Sequence, residues 1–178
     1  MAVNRVERLL RKVSRALESA GIPYAVIGGN AVAAWVATVD RDAVRATKDV
    51  DVLVRRDDMA AITAALRPVG LVPVEVLGVV MFVDRRRPSP RAGVHLVFAN
   101  ERIRPHDTHP APDPGVAARA AAGFRVIDLA ELVKMKLQAF RPVDQVHIQD
   151  LLANGLIDAA LVRSLPVDLR RRLRELQV

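Results

Sequence analysis

The sequence contains no cysteine. That excludes disulfides, thiolate zinc sites, iron–sulfur clusters and a cysteine nucleophile, and it leaves carboxylate and imidazole as the metal-binding side chains. Aromatic residues are almost as scarce, with four Phe, one Trp and one Tyr in 178 residues. A platform that reads nucleic acid by base stacking is therefore not expected, and Tyr24 and Trp35 read as core or rim residues. No apolar stretch approaches the roughly 20 residues that cross a bilayer. The opening run to Ser19 has no apolar heart of a secretory signal, so a cytoplasmic protein with no membrane is expected. Lysine stands only at positions 12, 48, 134 and 136, so arginine carries most of the net charge of +7. A chain rich in Arg, Ala and Val and poor in Lys is also what a GC-rich genome produces. Basicity alone is a weak pointer to nucleic acid.

What is present is aliphatic. The chain is 51% hydrophobic, and its length suits one domain with a core of Ala, Val, Leu and Ile. Val6, Leu9, Leu10, Val13 and Leu17 recur at helical spacing, and Gly21-Ile22-Pro23 stops that helix. Tyr24 to Ile27 is a short apolar run ending at Gly28-Gly29, the pattern of a buried strand, and Asn30 opens a helix to Val39. Thr47 to Val54 alternates as a strand, and Asp57 or Asp58 caps a helix through Leu66. Residues 72–76 and 79–83 read as a hairpin around Leu77-Gly78, and 94–98 as a further strand. Residues 100–123 read as mostly irregular. Helices follow over Leu129–Phe140, capped by Asp128, from Asp144 to about Ala153, and after Pro166. The order describes an α/β (α+β) fold, a mixed sheet flanked by helices. Residues 1–125 form the core, and 126–178 form C-terminal helices packed on it as one compact unit.

Three segments carry chemistry. Gly28-Gly29 between a buried strand and a helix lets backbone N–H groups approach a phosphate, or simply makes a tight turn. Asp49 and Asp51, two apart on a strand, point to one face roughly 6.5–7 Å apart. Such a pair either holds a hard cation, Mg²⁺ or Mn²⁺, or is salt-bridged by Lys48 or an arginine. Around the break at Arg141-Pro142, Lys136, Arg141, Asp144 and His147 converge, as a phosphate site or as a salt-bridged corner. His106 and His109 lie in a proline-flanked loop without a further nearby ligand, and the runs Arg85–Arg87 and Arg170–Arg172 read as solvated.

In this order, Ile27-Gly28-Gly29-Asn30-Ala31 followed by Thr47-Lys48-Asp49-Val50-Asp51-Val52 resembles the nucleotidyltransferase superfamily, the DNA polymerase β-like fold. Residues 24–54 with 132–151 are similar to the bacterial AbiEii-like toxin proteins and related nucleotidyltransferase-like proteins. The resemblance implies that Gly28, Gly29 and Asn30 bind the nucleotide, with Lys136 and Arg141 touching its phosphates. It implies that Asp49 and Asp51 bind Mg²⁺ or Mn²⁺. It also implies transfer of a nucleoside monophosphate from NTP to an acceptor (RNA, protein or a small molecule), with a partner protein if the chain belongs to a toxin–antitoxin-like pair. The family's third carboxylate falls at His95, which either serves as the catalytic base or marks a degenerate protein that binds nucleotide, nucleic acid or a partner without turnover. Asp84, Glu75 and Glu101 are the nearby carboxylates able to stand in for it.

Overall fold

The computed structural model describes residues 2–119 and 123–177. Helix α1 (Ala2–Ser19) turns Leu10, Val13 and Leu17 inward, and all three are buried. It closes on Gly21 at φ +66, where the Ile22 N–H reaches back to the Leu17 carbonyl. This left-handed cap satisfies one of the last helical carbonyls and turns the chain into the sheet.

Strand β1 (Tyr24–Ile27) is buried at every position, as its unbroken apolar run requires. Helix α2 spans Gly28–Val36, so the two glycines form its first turn rather than precede it. Strand β2 is Val50–Val54. It begins later than the alternation from Thr47 suggested, and Asp49 stands just ahead of it. Helix α3 (Met59–Leu66) leads to the hairpin of β3 (Leu71–Val76) and β4 (Val79–Asp84). Leu77 and Gly78 both have positive φ, 51° and 78°, which is the two-residue turn whose twist matches a hairpin. Strand β5 is Val94–Phe98.

The segment expected to be mostly irregular ends in a three-residue strand, β6 (Ala117–Arg119), and β7 (Arg125–Ile127) follows. The sheet has seven strands in the order β3-β4-β5-β2-β1-β7-β6. It is mixed: β2/β5 and β1/β7 are parallel, and the other neighbours are antiparallel. Helices α4 (Leu129–Ala139), α5 (Pro142–Ala153), α6 (Ala159–Ser164) and α7 (Val167–Glu175) complete the chain. Asp128 caps α4 by accepting the Ala130 N–H, and Pro142 begins α5, where its missing N–H costs nothing. Helices α1 and α3 pack together, while α2, α4 and α5 make a second group with α7 against α4.

Tyr24 is fully buried, donates its hydroxyl proton to Glu18 and accepts the Arg125 N–H. Trp35 donates its indole N–H to the Ile127 carbonyl. Both aromatics therefore tie core elements together. Among the described residues, no helix is long and apolar enough to cross a membrane.

Candidate active site

The site is assembled where three central strands meet the start of α2. Register places Asp51 of β2 opposite Ile27 of β1 on one side and His95 of β5 on the other. Ile27 leads directly into Gly28, whose φ is +67. A Cβ at Gly28 would lie 2.2 Å from Asp51 Oδ2. Only glycine tolerates both that dihedral and that approach, so the turn rests directly on the carboxylate. The first turn of α2 receives no side-chain cap. Its N–H groups keep the partial positive charge of a helix N-terminus.

Asn30 is buried, and its side-chain amide donates to the Asp49 carbonyl at 2.6 Å. It thereby ties the approach to β2 to the first turn of α2. Gly29 is hemmed in differently. A Cβ there would meet Thr47 Oγ1 at 2.8 Å and His147 Cε1 at 3.6 Å.

His95 Nδ1 lies 3.4 Å from Asp51 Oδ1, with both side chains about a quarter to a third exposed. The Asp51 carboxylate raises the imidazole pKa above its ordinary value against the opposing effect of burial, with smaller help from Asp49 and the Pro90 carbonyl. Two of the other acidic side chains near this place are engaged elsewhere. Arg56 holds Glu101 through two hydrogen bonds of 2.5 and 2.7 Å, and Asp84 accepts the N–H groups of Arg86 and Arg87. Glu75 stands opposite Val80 in the hairpin. Of these residues, His95 alone neighbours Asp51 in register.

The α4–α5 corner forms a charged knot. Lys136 is 6% exposed, and its Nζ donates to Asp144 Oδ1 at 2.7 Å. Arg141 donates to Asp144 Oδ2 from Nε at 2.7 Å, and from its backbone N–H at 3.3 Å. Burial alone would raise the Asp144 pKa, but the Arg141 hydrogen bond and the Lys136 charge outweigh it and hold the carboxyl below its ordinary value. The Arg141 guanidinium also feels the charge of Asp51. The corner and the Gly-Gly turn thus border one cleft of about 980 Å³, lined by Gly28, Gly29, Asp49, Asp51, His95, Lys136, Arg141 and His147. Its outer wall is the exposed hairpin tip, including Leu77 at 100% exposure.

Among the described residues, no group of three or more His, Asp and Glu side chains gathers as a complete metal cage. His109 pairs with Asp168 at 3.2 Å. Arg172 does not simply face solvent: it donates to the carbonyls of Leu137 and Gln138 at the end of α4. Sequence reasoning also missed Arg56, whose guanidinium lies 3.7 Å from the centre of the Phe98 ring at the cleft margin. Its partners, Phe98 and Glu101, lie more than 40 residues away with no local pattern linking them.

No protein-family model matches the sequence, and no curated protein does. Solved structures do. The antibiotic-resistance factor ANT(2″)-Ia in solution superposes with a TM-score of 0.63 at 19% identity, over 98% of this chain and 94% of that one. The crystal structure of ANT(2″)-Ia in complex with adenylyl-2″-tobramycin gives 0.60 at 18% identity, over 97% and 98%. An antigenic nucleotidyltransferase-like protein from Paracoccidioides brasiliensis gives 0.62 at 16% identity, over 99% and 88%. The chain has the nucleotidyltransferase fold.

Proposed function

We propose that the protein transfers a nucleoside monophosphate from an NTP to an acceptor hydroxyl, with a divalent metal ion as cofactor. The observation that carries this reading is the contact of Gly28 with Asp51. A Gly-Gly turn at a helix N-terminus and a carboxylate meet at one point, at the edge of a cleft of about 980 Å³. The fold agrees with it. ANT(2″)-Ia, which shares the architecture over nearly its whole length, has been crystallised with an adenylylated small molecule.

The residues suit the metal. Asp49 and Asp51 offer hard oxygen donors, and Mg²⁺ usually takes one or two carboxylates and completes its shell from phosphates and water. When bound, the ion polarises the phosphoryl oxygens and offsets charge that develops on them. The chain's own groups do the remainder. The N–H groups at the start of α2 bind phosphate oxygens, and Gly28 and Gly29 admit them closely. Arg141, which stays half-exposed while anchored to Asp144, presents positive charge to the same cleft. Lys136 acts through Asp144, because its ammonium is buried against that carboxylate. The acceptor oxygen attacks the α-phosphorus, a new O–P bond forms, and the bond to the pyrophosphate oxygen breaks. The acceptor proton passes to His95, the imidazole beside Asp51 at the cleft.

A second reading has its own support. His95 directed at Asp51 places an imidazole, which brings no negative charge, where this fold would set a third carboxylate. That favours a protein that binds nucleotide without turnover. One experiment separates the two. The protein is incubated with each labelled NTP, Mg²⁺ or Mn²⁺, and tobramycin, total tRNA or protein as acceptor, with pyrophosphate release as the readout. Transfer that is lost in Asp49→Ala establishes the first reading. NTP binding without product, with tighter metal binding in His95→Asp, establishes the second. No nucleotide binding at all removes both.

A further inference from the structure

His147 sits on the inner side of α5, one turn beyond Asp144, and is not needed by the mechanism above. Its ring forms part of the wall of the main cleft and also of a small void of about 10 Å³ bounded by Gly29, Thr47, Arg45 and Asp150. Nδ1 is buried and has no hydrogen-bond partner among the described residues. Cε1 comes within 3.6 Å of where a Gly29 Cβ would be. An imidazole bordering the phosphate turn with no protein partner is an uncommitted hydrogen-bonding group, and such a buried group usually answers to a ligand or an ordered water.

We propose that His147 is a nucleotide-positioning residue, donating from Nε2 to a phosphate oxygen of the nucleotide seated on the Gly28-Gly29 turn. The inference rests on the nucleotide-binding reading above. The chemistry selects the atom. A phosphate oxygen accepts, so the ring nitrogen that meets it must carry the proton. Nδ1, which is buried, is then the unprotonated nitrogen, an acceptor for an ordered water rather than for the nucleotide. Burial, followed by the charge of Lys136, lowers the ring's pKa and favours its neutral form, while Asp144 and Asp150 pull the other way with less effect. A neutral donor adds direction to a cleft already supplied with positive charge. Glycine at position 29 is required by Thr47, which a Cβ would meet at 2.8 Å, whereas the imidazole would lie in ordinary contact at 3.6 Å and marks how near the ring stands to the turn.

The test uses the full chain and three ligands, a non-hydrolysable ATP analogue with Mg²⁺, AMP, and adenosine, measured by calorimetry. Glutamine places a donor where Nε2 stands, and leucine does not. His147→Gln is expected to keep the affinity of the wild type for the triphosphate within about threefold. His147→Leu is expected to lose about ten- to a hundredfold, the range of one hydrogen bond to a charged group, with adenosine unaffected. In ¹⁵N spectra of the wild type with the analogue, His147 is expected to show a protonated Nε2 and a bare Nδ1. Equal triphosphate affinity in His147→Leu and wild type, or a protonated Nδ1, overturns the proposal and assigns the ring to packing or to an ordered water. A wild type that binds no triphosphate overturns the nucleotide reading itself, and this inference with it. A merely structural role would lower the melting temperature of both variants and weaken all three ligands alike.

Discussion

Replacing Gly28 with alanine isolates the contact on which the site is built. Two costs combine. The residue holds φ +67, and a side chain in the left-handed region costs roughly 1–2 kcal/mol. The new methyl would also begin 2.2 Å from Asp51 Oδ2 and 3.1 Å from its Cγ, so the carboxylate has to retreat by about 1 Å or more to restore contact distance. Gly21 supplies the control. Its φ is +66, but nothing lies within 4 Å of a Cβ built there. Gly21→Ala therefore reports the dihedral cost alone, about 1 kcal/mol, or about 2–4 °C in melting temperature for a chain of this size. Gly28→Ala is expected to cost at least about 1 kcal/mol more, because overpacking a fitted site typically costs about 1–3 kcal/mol. It is also expected to weaken triphosphate binding at least about tenfold, while Gly21→Ala leaves binding unchanged. Urea unfolding with equal slopes, paired with calorimetry, reads both quantities. Equal stability losses for the two variants, with nucleotide affinity intact in Gly28→Ala, would refute the reasoning.

Asp144→Ala is expected to cost about 3–5 kcal/mol, because it strands the buried Lys136 ammonium, whereas Asp144→Leu combined with Lys136→Met is expected to recover most of that in urea unfolding. The Asp144 carboxyl is held below its ordinary value in the folded chain, so its contribution is complete above the unfolded value near ~3.9 and is lost as pH falls through the folded one. Urea midpoints measured between about pH 6 and 2 are expected to fall more steeply for the wild type than for that double variant. Leu77→Asn converts the hairpin turn to Asn-Gly and relieves a leucine at φ +51, so the melting temperature is expected to rise by the equivalent of about 0.5–1 kcal/mol. Arg172→Met removes two donors from the end of α4 and is expected to lower stability by about 1–3 kcal/mol, with faster amide exchange in the last turn of that helix as the specific readout.

Legibility in the sequence followed how local the signals were. Strand β1, the Leu77-Gly78 hairpin, β5 and the Asp128 cap were each written within a few consecutive residues and stand where their patterns put them. Strands β6 and β7 were missed because each has only three residues, and their place in the sheet comes from β7 lying parallel to β1 a hundred residues earlier, with β6 paired to β7 at the edge. Helix α6 was missed for a related reason, since six residues give too few turns for a periodicity. Asp49 fell outside β2 because the ladders to β1 and β5 end at Asp51 and Val50, and the Asp49 carbonyl is taken by Asn30 instead. At the site, the spacing of Gly28, Gly29, Asp49 and Asp51 was readable as a motif. The grip of Asp144 on Lys136, the posture of Arg56 on Phe98 and the unpartnered Nδ1 of His147 depend on side-chain directions set by packing.

The hold of Arg172 on the Leu137 and Gln138 carbonyls bears on how this chain can be recombined. Phe140 ends α4 in a left-handed conformation, and the Arg172 guanidinium lies 5.4 Å from the centre of its ring. The turn that carries Lys136 is thus closed by a residue from another helix, 36 positions further along. A chimaera that takes α4 from one parent and α7 from another would separate the cleft from its own closure while leaving every cleft-lining residue in place. Exchange is better made with residues 128–175 as one cassette.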